Sequence, residues 1–352
     1  MEVLHIIDEH SVSGVVNLLC YLEGNEHFEQ QYLSLHLGAS VSEYLSSRSV
    51  NGSVIAGIRD NKNIVQEALS SIANYRGIIK TVEQLNPDVV HAHGYPASLI
   101  GSLIARKNIS NAVFTQHVVR HQPNPVEQNI FQRIFRPYDE IVCVSNHVRE
   151  TFVDVFKTTE PTVIHNGVPI PEMRKYDFHS NSKVEFLMVS RLVEGRGIIP
   201  FLEAFKMVSK ENAQLRVIGD GELRSELEER FNQTSGIIFE GFVKDVSPYY
   251  ECADAFLFPT GKFEGFGMSM VEAMSYGLPV IAIDHPVVRE ILTPTITGYI
   301  VDGSSEIRAV IKDIIDDPDI RLNIGKRARE EVKSKFSIQR MSREYSSLYH
   351  NI

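Results

Sequence analysis

Phe263-Glu264-Gly265-Phe266-Gly267-Met268-Ser269-Met270-Val271-Glu272-Ala273-Met274 is the stretch on which the reading of this chain turns. Its first half is broken by Gly265 and Gly267, as a loop would be. From Met268 to Tyr276 the apolar residues recur at helical spacing. Upstream, Ala255-Phe256-Leu257-Phe258-Pro259-Thr260 is an apolar run stopped by proline, the pattern of a buried strand. Downstream, Gly277-Leu278-Pro279-Val280-Ile281-Ala282 supplies a helix stop and then another buried strand. The order strand, loop, helix, strand predicts a parallel sheet. The loop then lies at the carboxyl end of a strand, where open parallel sheets bind their ligands.

The same alternation extends in both directions. Strands are predicted at Val3–Ile7, Gln31–Leu35, Val54–Ile55, Val89–His91, Val113–Gln116, Ile141–Val144 and Thr162–His165. In the second half they are predicted at Glu185–Val189, Gln214–Ile218, Ile237–Gly241, Ala255–Phe258, Val280–Ile283 and Gly298–Val301. Amphipathic helical runs separate them, among them Ile64–Leu85, Ala97–Arg106, Ile198–Ser209, Glu222–Asn232, Val246–Glu251 and Ser304–Asp316. This is an α/β chain with helices on both faces of parallel sheets. A polar stretch without periodicity, Asn166–Lys183, reads as a linker between two doubly wound domains. The tail Arg321–Tyr349 reads as helix long enough to cross back onto the first domain.

Composition narrows the class. A chain of 352 residues is long enough for two cores. With 43% hydrophobic residues and no apolar run near the roughly 20 residues of a membrane span, it reads as globular. Met1–Ile7 reads as a strand and not as a leader, since no basic residues open it and Asp8 and Glu9 follow. Cys20, Cys143 and Cys252 stand in apolar contexts without metal-type spacing, so buried reduced thiols and a cytoplasmic location are expected. A net charge of −10 argues against nucleic acid as a partner.

Chemistry concentrates in a few places. About two helical turns, roughly 10 Å, separate Glu264 from Glu272, so the carboxylates could grip both ends of an elongated polar ligand. The amides of Gly267, Met268 and Ser269 open the helix and are expected as donors to an anion. A phosphate between two hydroxyl-bearing groups satisfies both features. Two motifs are decoys. Asp317-Pro318-Asp319 spells a metal-binding D-x-D, but its proline at a helix start favours a cap. Gly219-Asp220-Gly221 lacks the third glycine of a dinucleotide fingerprint. His91 and His93 form an H-x-H that reads as a strand end, and no metal site is predicted.

Further stretches complete a pattern: Val189-Ser190-Arg191-Leu192, Ile218-Gly219-Asp220-Gly221-Glu222-Leu223 and Phe239-Glu240-Gly241-Phe242-Val243 in the second half, and Asp88-Val89-Val90-His91-Ala92-His93-Gly94, Val142-Cys143-Val144-Ser145 and Ile164-His165-Asn166-Gly167-Val168 in the first. With the two-glutamate motif they make the chain resemble the retaining GT-B glycosyltransferases of glycosyltransferase family 4 over essentially its whole length. The resemblance implies two Rossmann-like domains facing across a cleft. Residues 1–167 would bind the acceptor, 168–335 the nucleotide-sugar, and 336–352 would form the returning helix. It implies a metal-independent retaining hexosyltransferase that uses a UDP-sugar as substrate, with no further cofactor. The acceptor would be a glycan or lipid-linked glycan in polysaccharide or glycoconjugate biosynthesis.

Roles carry over residue by residue. Arg191 and Arg196 would stabilise the departing diphosphate, Arg196 standing where the family usually has lysine. Glu272 would accept from the ribose hydroxyls and Glu264 from a sugar hydroxyl. Gly265, Phe266, Gly267 and Met268 would give backbone contacts, and the main chain at Phe242 and Val243 would frame the base. His117, after the strand Val113–Gln116, would stand near the transferred sugar, with His121 as competitor. Ser13 and Gly14 would donate amides, although the family's paired glycines are reduced here to one. The basic, amphipathic stretch of Arg106, Lys107, Arg120, Arg133 and Arg136 around Ile130, Phe131, Ile134 and Phe135 reads as a helix packed into its own domain. Docking on anionic lipid at the inner membrane face is its alternative. Two other readings of the whole chain remain: a non-catalytic GT-B paralogue, and a sugar-nucleotide epimerase.

Overall fold

The computed structural model describes residues 1–7, 14–22, 27–35, 77–119, 123–157, 160–172, 183–208, 212–231 and 236–352. The chain divides into two units, Met1–Gly167 with Ile338–Ile352, and Val168–Ser337. Each is built on a six-stranded sheet whose neighbouring strands all pair in parallel. This is the two-domain α/β architecture of the GT-B fold.

In the first unit β1 (Glu2–Ile7), β2 (Glu29–Ser34), β3 (Val89–His93), β4 (Asn111–Gln116), β5 (Glu140–Cys143) and β6 (Thr162–Val163) stand in the order β2-β1-β3-β4-β5-β6. The order reverses between β1 and β3, the switch point where parallel sheets open a crevice. Val3, Ile6, Val90, Ala92, Val113, Phe114 and Val142 are fully buried, as expected of strands covered on both faces. Into this apolar sheet the sequence sets His5, His91, His93 and Thr115, also buried. The register places His5 beside His91, and His93 beside Thr115.

The helix Ile338–His350 lies over these polar residues. Tyr349 Oη is 2.6 Å from His91 Nδ1, and Tyr345 Oη is 3.2 Å from Thr115 Oγ1. Arg340 donates to the His165 carbonyl. Paired polar groups thus hold this helix on the first unit, since each would be costly if buried alone.

The apolar residues of the basic stretch, with Arg133, fall on the helix Pro125–Phe135, opened by a capping box between Asn124 and Glu127. Its apolar side turns inward: the Phe135 ring lies 4.9 Å from Phe114 and 5.1 Å from both Phe152 and Phe156. Val126 and Ile130 remain exposed. Among the described residues no helix is long and apolar enough to cross a membrane.

In the second unit β7 (Val184–Val189), β8 (Ala213–Ile218), β9 (Ile237–Gly241), β10 (Ala255–Phe258), β11 (Val280–Ile283) and β12 (Gly298–Val301) stand in the order β12-β11-β10-β7-β8-β9. The switch point lies between β7 and β10. The helices Ile198–Lys206 and Ser304–Asp316 bury Phe201, Leu202 and Phe205, and Ile307, Ile311 and Ile314, in one core with Phe186, Leu215 and Leu257. Ile307, Ile311 and Ile314 recur at the spacing that makes one helical stripe.

The structure differs from the sequence reading in several places. The helical tail is two helices, Pro318–Lys335 and Ile338–His350. The second unit runs to Ser337 and not to 335, because the Val168 amide donates to Phe336 O at 2.9 Å and the Phe336 ring meets Phe266 edge-on. As expected, Asp317 caps its helix, accepting from the amides of Asp319 at 2.9 Å and Ile320 at 3.3 Å, with Pro318 in the first turn. Of the cysteines, Cys143 is buried, Cys20 is half-buried and Cys252 is exposed. Cys252 ends the short helix Ser247–Cys252, whose inward position belongs to Tyr250. The predicted strand Val54–Ile55, the start of the helix from Ile64 and most of the linker lie outside the described residues.

Candidate functional site

Two loops leave the switch point of the second unit, one after β7 and one after β10. They touch backbone to backbone. Gly197 has φ +68° and a Cβ there would stand 2.9 Å from Thr260 O, while one on Gly261 would stand 2.5 Å from Gly195 O. Only glycine tolerates this approach. The contact carries Arg196, between two of these glycines, to Glu264. Arg196 Nη1 donates to Glu264 Oε2 at 2.5 Å, and Glu264 Oε1 accepts from the Gly267 amide at 3.1 Å. Their side chains are 26% and 13% exposed, so water screens the pair less than a surface ion pair.

This arrangement bears on two expectations and corrects the second. Arg196 and Glu264, read as separate contacts to diphosphate and sugar, are joined to each other. The Gly267 amide, read as an open donor, is already used by Glu264. The amides of Met268 and Ser269 remain first-turn donors at the positive end of the helix Met268–Ser275.

Glu272 lies on that helix, half-buried, and Tyr250 Oη donates to its Oε2 at 3.1 Å. The Tyr250 ring stacks on Tyr276 at 5.3 Å, which fixes the direction of the hydroxyl. Gly265 and Phe266 are buried, so Phe266 offers the site main chain only. Phe242, following β9, is 64% exposed, whereas a phenylalanine after a strand would ordinarily be core. Val243 beside it is half-buried.

Arg191 is exposed and has no ion-pair partner among the described residues. The main chain around it is held firmly. The Leu192 amide donates to Asp220 O at 2.9 Å, and the Leu223 amide donates to Leu192 O at 2.9 Å. Gly219, at φ +135°, crosses so closely that a Cβ would stand 1.9 Å from Ser190 O. The Gly219-Asp220-Gly221 run is therefore a backbone crossing that fixes the loop bearing Arg191.

The first unit holds a second polar constellation, described here by itself. His5 Nδ1 lies 2.9 Å from His93 Nε2, and His93 Nδ1 lies 2.9 Å from His117 Nε2. His91 is engaged at both nitrogens, by Tyr349 through Nδ1 and by Thr115 through Nε2, each at 2.6 Å. Burial pushes His5 down to about 3 and His117, a half-buried residue, down to about 4. Burial, then the neighbouring imidazoles, hold His91 and His93 well below the usual histidine value. All four rings are neutral near pH 7.

Nitrogens of His5, His91 and His93 lie within 4.8 Å of one another, close enough to suggest a metal. The geometry is against it. Two nitrogens sharing a tetrahedral zinc at about 2.0–2.1 Å stand roughly 3.3 Å apart. His5 and His93 face each other at hydrogen-bond distance instead, and His91 has no nitrogen to spare. Gly14 opens the helix Gly14–Leu22, while Ser13, Arg120 and His121 lie outside the described residues.

Sequence reasoning missed Tyr250, His5, Thr115, Tyr345 and Tyr349. Three of them left a signal: His5 interrupts an apolar strand, and Tyr345 and Tyr349 are four apart on one helix face. A cavity of about 220 Å3, lined by Phe186, Leu187, Pro248, Tyr249 and Ala253 among others, lies elsewhere on the second unit and shares no residue with this constellation.

Residues 170–331 match the family Glycosyl transferases group 1, and residues 35–171 match Glycosyltransferase Family 4. The capsular polysaccharide biosynthesis glycosyltransferase CapM of Staphylococcus aureus is 29% identical over 60% of this chain and 61% of its own length. The uncharacterized glycosyltransferase MJ1178 of Methanocaldococcus jannaschii is 25% identical over 83% of this chain and 86% of its own. Among solved structures, Anabaena HepE in complex with UDP and glucose superimposes with a TM-score of 0.85 over 100% of both chains at 16% identity. That likeness establishes the fold.

Proposed function

Because the chain belongs to glycosyltransferase family 4, we propose that it moves a hexose from a UDP-sugar to a glycan or lipid-linked glycan acceptor, with retention and without a metal. The observation that carries this reading is the set of Arg191, Arg196, Glu264 and Glu272 around the switch point of the second unit. Glu272, oriented by Tyr250, accepts from the ribose hydroxyls. Arg191, the exposed cation, meets the diphosphate together with the amides of Met268 and Ser269. These charges stabilise the leaving group as its negative charge develops, the largest electrostatic demand of the reaction. Glu264 keeps lone pairs beyond its bonds to Arg196 and Gly267 and accepts from a sugar hydroxyl. The UDP complex of HepE supports the choice of nucleotide. The capsular role named for CapM supports a glycan acceptor in polysaccharide biosynthesis.

The closed Arg196–Glu264 pair favours one rival, a non-catalytic paralogue in which the pair is structural. Thermal unfolding with UDP, GDP, ADP and their sugars tests the donor site. A nucleotide at a hundred times its Kd adds about 2.7 kcal/mol. Stabilisation by UDP that is lost in Glu272→Ala is expected, with sugar transfer slowed in Arg191→Ala. Binding without transfer to any acceptor selects the paralogue. Release of free, altered sugar-nucleotide selects an epimerase.

A further inference from the structure

The helix Met268–Ser275, which carries Glu272, is held at its carboxyl end by Arg329. All of its last four carbonyls are paired, as a buried helix end requires. Glu272 O accepts from Ser275 Oγ at 2.7 Å, and Ala273 O from the Leu278 amide at 3.1 Å. Met274 O accepts from the Gly277 amide at 2.9 Å, where Gly277 turns the chain at φ +79°. The fourth, Ser275 O, accepts from Nη1 of Arg329, a residue only 6% exposed. The other terminal nitrogen of Arg329, Nη2, donates to Pro171 O. Pro171 lies in the stretch by which the chain enters the second unit. One planar guanidinium therefore joins the end of the site helix to the linker.

Two further features make this joint a fixed one. The helix Pro318–Lys335, which bears Arg329, crosses the end of the site helix so closely that a Cβ on Gly325 would stand 1.9 Å from Gly277 O. Arg329 follows Gly325 by four residues, about one helical turn. The charge is also well placed, since a cation at the carboxyl end of a helix complements the macrodipole that favours an anion at its amino end. Arg321, about two turns earlier on the same helix, gives a comparison. It is 4% exposed and donates to Ile314 O and Ile315 O near the end of Ser304–Asp316, a helix of the core and not of the site.

We propose that Arg329 is a positioning residue for the donor. It fixes the helix Met268–Ser275 and ties it to the linker, so that the Glu272 carboxylate and the amides of Met268 and Ser269 keep a single placement. The donor role rests on the proposed sugar transfer, whereas the clamp itself stands apart from it.

The clamp is tested first without nucleotide, by hydrogen–deuterium exchange of the full chain read by mass spectrometry. In Arg329→Gln, faster exchange is expected in peptides spanning 268–278 and 166–172, with the helix Ile198–Lys206 at parental rates. An even rise across the second unit, or no change, overturns the proposal. UDP affinity is then measured by titration calorimetry at a temperature where circular dichroism shows each protein folded. Arg329→Gln is expected to raise the UDP Kd about tenfold, as a displaced site helix would. Arg321→Gln, an equally buried change away from the site, is expected to leave the Kd at the parental value. A parental Kd in Arg329→Gln, or an equal loss in both variants, overturns the positioning role. A parent that shows the clamp in exchange but binds no UDP overturns the proposed function and leaves the clamp standing. If Arg329→Gln fails to fold, Arg329→Lys takes its place. Its ammonium keeps the charge without the fork that reaches both carbonyls, and the same local rise in exchange is expected.

Discussion

Three neutral imidazoles buried in one sheet, with His117 just past the end of β4, make the first unit sensitive to acid, and the size of the effect follows from the structure. In the unfolded chain a histidine titrates near 6.5. In the fold His5 is held at about 3 and His117 at about 4. A folded value below the unfolded one means that the unfolded chain binds more protons. Stability is therefore complete above about pH 6.5 and is lost progressively as pH falls toward the folded values. Near pH 5 these two residues take up almost two protons on unfolding, a slope of roughly 2 to 3 kcal/mol per pH unit. From pH 7 to pH 5 they remove about 4 kcal/mol, a large share of the roughly 5–15 kcal/mol that stabilises a domain. His91 and His93 act in the same direction. The phenols packed on the cluster, Tyr345 and Tyr349, are pushed up by burial and stay neutral throughout. Denaturant titrations followed by far-UV circular dichroism at pH 7, 6 and 5 measure the slope, since the chain has no tryptophan for fluorescence. A free energy that is flat between pH 7 and 5, or a His5→Gln protein with the parental slope, would refute the reasoning.

Three further outcomes are expected. Tyr250→Phe removes the donor to Glu272 and should raise donor KM about three- to tenfold with little change in kcat, the net worth of about one ordinary hydrogen bond; an unchanged KM would mean that Tyr250 does not orient the carboxylate. Gly219→Ala forces a side chain against the fixed Ser190 carbonyl at positive φ and should cost at least about 3 kcal/mol. A parental melting temperature would show that the loops do not cross as described. Asp317→Ala should lose about 1 kcal/mol as a helix cap while transferring sugar at the parental rate, and an activity loss repaired by added divalent cation would return the D-x-D to a metal role.

Most strands of the described regions could be located in advance because a parallel strand covered on both faces is a plain apolar run. The run Ala255–Phe258 needs no partner to be recognised. What the sequence could not supply was adjacency. Arg196 and Glu264 are 68 positions apart, and nothing in either loop predicts that Gly195 and Gly197 will lie against Thr260 and Gly261. Likewise His5 and His91 become neighbours only because β3 returns to the far side of β1, and strand order leaves no trace in periodicity. The motif glutamates were found because their spacing is local. Their partners, Arg196 and Tyr250, come from other elements.

The joined pair bears on how a diphosphate would be met. A guanidinium has five donors, and Arg196 gives one of them to Glu264. Its remaining donors can still pair bidentately with phosphate oxygens while the carboxylate holds the fork in place. The charge of Arg196 is largely cancelled until a ligand arrives, so the long-range attraction for an anion falls to the exposed Arg191. A lysine at position 196 would be a compact charge on a flexible stem, without the planar fork that can serve both neighbours at once. The departure from the family's lysine thus fits the proposed site, in which the carboxylate assigned to the sugar and the cation assigned to the phosphate would be fixed relative to each other before the donor enters. Fixing them in advance removes part of the ordering cost from binding.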